Sequence, residues 1–113
     1  MDGLDLKKEM DELLNSLDKA YSFMWTTGKQ WAVAEHHYKI ANKIEIFRLK
    51  QEDKVAWTAC QALAQGSEGV ADLRLKRDLS KIEYEVAKEK MLGLKMKARI
   101  LEGEINRMWG AAK

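Results

Sequence analysis

Few residues in this 113-residue chain are of types that do chemistry. His36 and His37 are its histidines, and Cys60 is its single cysteine. Neighbouring residues on a helix point about 100° apart, so the two imidazoles cannot clasp one metal ion from the same helix. The Glu-x-x-His pairs that build di-iron bundles do not occur in the sequence. His36 and His37 therefore read as surface or boundary histidines, and Glu35 beside them changes little. Cys60 has no motif partner and lies in an alanine-rich stretch, where it reads as a small buried apolar residue and not as a nucleophile. A lone cysteine cannot form an internal disulfide, which fits a reducing compartment. No glycine-rich phosphate cradle follows a strand, and Gly66 and Gly69 read as helix punctuation. No catalytic residue, metal ligand or cofactor is assigned, and the expectation is a protein that is not an enzyme.

Residues suited to binding are more numerous. Arg74, Lys81, Lys88 and Lys95 recur every seven residues and so share one side of a helix, with Arg77 and Arg99 close by. Evenly spaced cations of this kind could follow a phosphate backbone, with Trp109 stacking on bases. The preferred reading is a solvated outer face, with Glu85, Glu89 and Glu102 as helical-neighbour partners. Trp25, Trp57, Leu92, Ile100 and Trp109 lie off the main apolar pattern and are candidates for a protein interface, where tryptophan is enriched. Trp31, Tyr38 and Tyr84 fall on that pattern and are expected in the core.

The elements that carry these residues follow from periodicity. Met10, Leu13, Leu17, Ala20, Met24, Thr27, Trp31, Ala34, Tyr38 and Ala41 step by three and four, as do Tyr84, Ala87, Met91, Leu94, Ala98, Leu101, Ile105 and Met108. An average step of about 3.5 residues keeps a seam on one side of a supercoiled helix. The spacing predicts helices over about 4–50 and about 68–109. The first continues through the poor helix formers Thr26, Thr27 and Gly28, because the seam keeps its phase across them. A short helix is expected over about 53–65, capped by Asp53 and stopped by Gly66, with Ser67 capping the last helix.

The predicted fold is all-α: a long antiparallel, coiled-coil-like helical hairpin with a short third helix at its loop end, forming one domain over residues 1–113. Matching the seams pairs positions whose numbers sum to about 118, placing Trp31 near Ala87, Ala34 near Tyr84, Met24 near Leu94 and Leu17 near Leu101. Extra apolar strips, Ile40, Ile44 and Phe47 on the first helix and Leu75, Leu79, Ile82 and Val86 on the last, need a cover. The short helix, with Trp57, is expected to supply it. The thin seam elsewhere leaves apolar residues over, so a homo-oligomer is expected, most simply a dimer.

Composition agrees with this. The chain has no proline, and its 20 basic and 18 acidic residues leave a net charge of +2, mild for a nucleic-acid clamp. No apolar run approaches the ~20 residues that cross a bilayer. The start, with Asp2, Asp5, Lys7 and Lys8, does not read as a signal peptide, so a cytoplasmic protein is expected. Two stretches, WTTGKQWAVAEHHYKIA (25–41) and VADLRLKRDLSKIEYEVAKEKMLGLKMKARILEGEINRMW (70–109), cover about half the chain. They resemble small helical proteins encoded by phages and prophages of Gram-positive bacteria, similar to others found near phage replication and recombination genes. The resemblance implies an infected bacterial cytoplasm as the setting and carries no catalytic motif. The function expected first is a non-enzymatic interaction protein that self-associates and binds a phage or host protein. The alternatives are an accessory DNA-binding protein in phage replication or recombination, using Arg74, Arg77, Lys81, Lys88, Lys95 and Arg99, and an inhibitor of a host defence enzyme.

Overall fold

The computed structural model describes residues 3–111, so the outermost residues of the expected 1–113 domain lie outside the described residues. It contains three helices, α1 (Gly3–Gln51), α2 (Trp57–Gly66) and α3 (Glu68–Ala111), and no strand among the described residues. The fold is all-α, with α1 and α3 running antiparallel and the short α2 between them in sequence. α1 is unbroken at Thr26, Thr27 and Gly28. Thr26 Oγ1 donates to the Ser22 carbonyl, and Thr27 is buried on the seam. Every residue of both expected seams is buried or half-buried.

The chain divides into two compact units. The first joins residues 1–26 to 85–113 and holds a thin core in which Leu6, Ala20, Ala87, Met91 and Leu101 are buried. The second, residues 27–84, packs the later part of α1 against α2 and the early part of α3. Ala34, Tyr38 and Val70 are buried there, and Leu49, Cys60 and Ala64 form a cluster flanked by Ile46 and Val55.

In the second unit Trp31 stacks on Tyr84, with ring centroids 5.5 Å apart and planes 30° from parallel. Tyr84 therefore meets Trp31, one turn earlier on α1 than the Ala34 expected opposite it, and two large rings share a layer where a large residue and a small one were expected. Gly28, one turn before Trp31, also lies beside the Tyr84 ring. A Cβ at Gly28 would stand 3.6 Å from Tyr84 Cδ2 and Cε2, an ordinary contact distance. Because glycine inside a helix costs about 0.5–1 kcal/mol relative to alanine, Gly28→Ala is expected to stabilise the protein by about that much, read as a higher denaturation midpoint at unchanged slope. A lower midpoint would mean that the Trp31–Tyr84 pair needs more room than the geometry shows.

The start of α2 differs from expectation. Asp53 does not cap α2: its carboxylate accepts from Arg48 Nη1 at 3.2 Å, and α2 starts later, after Ala56, which offers no side-chain cap. Arg48 also donates to both oxygens of Glu45, at 3.1 and 2.6 Å, and this bonding holds the Glu45 carboxyl below its ordinary pKa. Lys54 turns the chain with φ 54°, a left-handed conformation that costs a side-chain-bearing residue roughly 1–2 kcal/mol. Ser67 serves both helices: its N–H and Oγ donate to the Ala64 carbonyl and close α2, while it stands at the N-cap position of α3 on extended backbone, its carbonyl accepting from the Ala71 N–H at 2.8 Å. No described glycine has positive φ, so Gly66 is simply the last residue of α2, and the extended Ser67 makes the turn.

Candidate protein-interaction surface

α2 does not cover the apolar strips. It docks on Leu49 and Ile46, through Cys60 and Ala64. Leu49 is nine residues from Ile40, and at 100° per residue that is half a turn around α1. Phe47 and Ile44 likewise point well away from Leu49. A helix seated on Leu49 therefore leaves Ile40, Ile44 and Phe47 to solvent, and all three are exposed. Val33 joins them at the same helical phase, and on α3 Leu75, Leu79 and Ile82 are exposed as well. Val86, in the first unit, is also exposed. Trp57, expected as part of the cover, is itself 61% exposed, with Lys50 Nζ 5.4 Å from its ring.

The interface candidates of the first unit do not all share one side of α3. In the first unit Trp25 and Trp109 are each 72% exposed, and Leu92 and Ile100 are exposed too. Ile100 lines an open groove of about 420 Å³ between α1 and α3 with Glu9, Glu12, Leu94, Lys97 and Glu104 among its walls. Trp109 is nine residues further along α3, half a turn around, and so faces the other way. A second groove of about 310 Å³ lies between Phe23 and Lys19 of α1 and Lys90 and Leu94 of α3.

Several cations of the basic stripe lie on aromatic rings of α1. Within the second unit the Arg77 guanidinium is 4.5 Å from the Tyr38 ring centre and Lys81 Nζ is 5.8 Å from that of Trp31. Within the first unit Lys95 Nζ is 5.2 Å from the centre of Tyr21. Arg77 is further held by Asp78, at 3.0 and 2.9 Å. Cations over ring faces bind the helices to each other at about 0.5–1 kcal/mol per exposed pair, which favours a structural role for this part of the stripe. Arg74 and Lys88 are exposed, as is Arg99.

The reactive side chains are unremarkably placed. His36 and His37 are exposed, with ring centres 6.1 Å apart. Among the described residues no three His, Cys, Asp or Glu side chains are arranged to hold a metal ion. Cys60 is fully buried, its thiol donating to the Val55 carbonyl at 3.5 Å. No described helix is long and apolar enough to cross a membrane.

Sequence reasoning found the strips but assigned them to the inside. The signal that separates Leu49 from Ile40 and Phe47 was in the helical phase of α1, yet nothing in the phase alone says which of the two faces a short helix takes. Comparison with known protein families, with curated proteins and with solved structures found no match.

Proposed function

We propose that the chain works as a non-enzymatic helical interaction protein, which self-associates and holds a phage or host protein in the bacterial cytoplasm. The observation that supports this is apolar surface left in water. Among the described residues the large apolar side chains that stand exposed outnumber the apolar side chains that are buried. Soluble monomers keep contiguous apolar patches to a few hundred Å², and larger ones mark contacts with other molecules. Trp25 and Trp109 are the anchors for the foreign partner, since a tryptophan desolvated at the centre of an interface carries much of its affinity.

The test is capture from infected Gram-positive host cells by the tagged full-length chain, alongside its Trp25→Ala, Trp109→Ala double variant. Wild type is expected to retain a defined protein at fixed stoichiometry. The variant, which alters only exposed side chains, is expected to lose at least ~30-fold in affinity, the effect of about 2 kcal/mol. Equal retention by both proteins would overturn the assignment of these tryptophans.

A further inference from the structure

We infer that the exposed back of α1 in the second unit takes an acidic amphipathic helix of a partner protein. That helix packs its apolar side on Val33, Ile40, Ile44 and Phe47 and sets its carboxylates along the basic edge of the strip. The inference rests on the interaction reading above and gives the partner a chemistry and a second place to dock, apart from Trp25 and Trp109 in the first unit.

The strip is a second seam on α1. Val33, Ile40 and Phe47 recur every seven residues, Ile44 falls between the last two, and Gln30, His37 and Gln51 share the phase of Ile44. The four apolar residues are between 45% (Ile40) and 64% (Ile44) exposed. Ile40 lies half a turn around α1 from Trp31 and from Leu49, and Phe47 half a turn from Tyr38. The strip therefore faces away from Tyr84, Arg77 and α2, which α1 meets on its other side. From Gln30 to Gln51 it runs about 32 Å, in the alternating steps of three and four that one helix offers another in a coiled coil. Polar residues hold three of its seven positions. A stripe so narrow fits a single partner helix, and not the broad apolar face with which a helix lies in a membrane surface.

Charge selects the partner. Lys29, His36, Lys43 and Lys50 form a row along one edge of the strip, again seven apart. The first three have no acid three or four residues away on α1. None of them makes an ion pair among the described residues. Nearby acids are taken elsewhere, Glu35 by Lys39 and Glu45 and Asp53 by Arg48. A helix that brings a row of carboxylates to this edge gains pairing that the second unit does not supply. A second copy brings no such row. Its α1 presents the same acid-free strip, and beside the exposed strip of its α3 the base Lys76 is mixed with Glu83 and with an Asp78 already bound by Arg77.

The probe is a designed helical peptide of about three heptads, with leucine at its a and d positions and glutamate along its edges. It is compared with the same peptide carrying lysine for glutamate. Binding to the full-length chain is read by fluorescence anisotropy, and helicity by circular dichroism. The glutamate peptide is expected to bind at least ~10-fold more tightly than the lysine peptide, since like charges set side by side cost affinity. Lys29→Glu with Lys43→Glu is expected to reverse that order. Ile40→Gln with Ile44→Gln, both at exposed positions, is expected to bind neither peptide at unchanged helicity. Equal binding of the two peptides by wild type, or an order that survives the charge reversal, would overturn the inference. Phosphatidylglycerol vesicles that bind through Lys29 and Lys43 while the glutamate peptide does not would put a membrane on the strip. A dimer in sedimentation that Ile40→Gln with Ile44→Gln disperses would put a second copy there, and either result overturns the partner helix. If no peptide binds while the Trp25 and Trp109 variant still loses its captured protein, this inference fails and the interaction reading stands. If the glutamate peptide binds as expected but wild type retains no protein from host cells, the strip stands and that reading fails.

Discussion

Tyr38→Ala is expected to lower the unfolding free energy by about 3–5 kcal/mol, the range for truncating a buried aromatic, measured by equilibrium denaturation. Tyr38 is buried on the α1 seam of the second unit, and the Arg77 guanidinium covers its ring from α3. Truncation removes the apolar filling between the helices. It also leaves a half-buried cation facing the vacated space, held by Asp78 alone. Tyr38→Phe keeps the ring and the Arg77 contact, so its cost is expected to stay within about 1 kcal/mol. Equal losses in the two variants would place the stabilisation in the hydroxyl and not in the ring. In a chain whose core is one seam wide, a loss of several kcal/mol takes most of the 5–15 kcal/mol that a domain ordinarily has.

The ring over which Arg77 sits shows where sequence reasoning reached and where it stopped. The seams were legible because α-helix geometry alone decides which residues share a face, and Met10 through Ala41 and Tyr84 through Met108 are all buried or half-buried. The same phase argument carried α1 through Thr26, Thr27 and Gly28. Register was not legible to within a turn. Both seams repeat every seven residues, so sliding one along the other by a turn costs little in pattern, and the choice falls to particular pairs such as Trp31 with Tyr84. The apolar strips were half legible: their residues were named, but the exposure of Ile40, Ile44 and Phe47 depends on where α2 sits.

The position of α2 was set by contacts that sequence periodicity does not encode. Asp53 reads locally as a cap, yet Arg48 is the stronger claimant, because a guanidinium already bonded to Glu45 stands within 3.2 Å of the Asp53 carboxylate. The helix therefore starts after Ala56, with the chain turned at Lys54 toward the Leu49 side of α1. Once that turn is made, the small residues Cys60 and Ala64 fit against Leu49, and the strip on the other face has no intramolecular cover.

Leu49→Ala is accordingly expected to release α2 while sparing the helix pair, at a cost of about 2–5 kcal/mol. α2 has 10 residues, no side-chain cap at Ala56, no acid in its first turn and no base in its last. An isolated helix shorter than about 12–15 residues is marginal in water, so α2 persists chiefly through the packing of Cys60 and Ala64 on Leu49, Ile46 and Val55. Truncating Leu49 removes the centre of that cluster. Two local readouts follow. Amide exchange across 57–66 is expected to approach that of unprotected chain while α1 and α3 remain protected. The Cys60 thiol, fully buried in the native protein, is expected to become reactive toward a thiol reagent without global unfolding. A Leu49→Ala protein that is less stable yet still shields Cys60 would show that α2 is anchored by something other than this cluster. A thiol exposed only in step with the loss of α1 and α3 protection would show that α2 is no separable unit, and that its docking and the pairing of the long helices form one cooperative event.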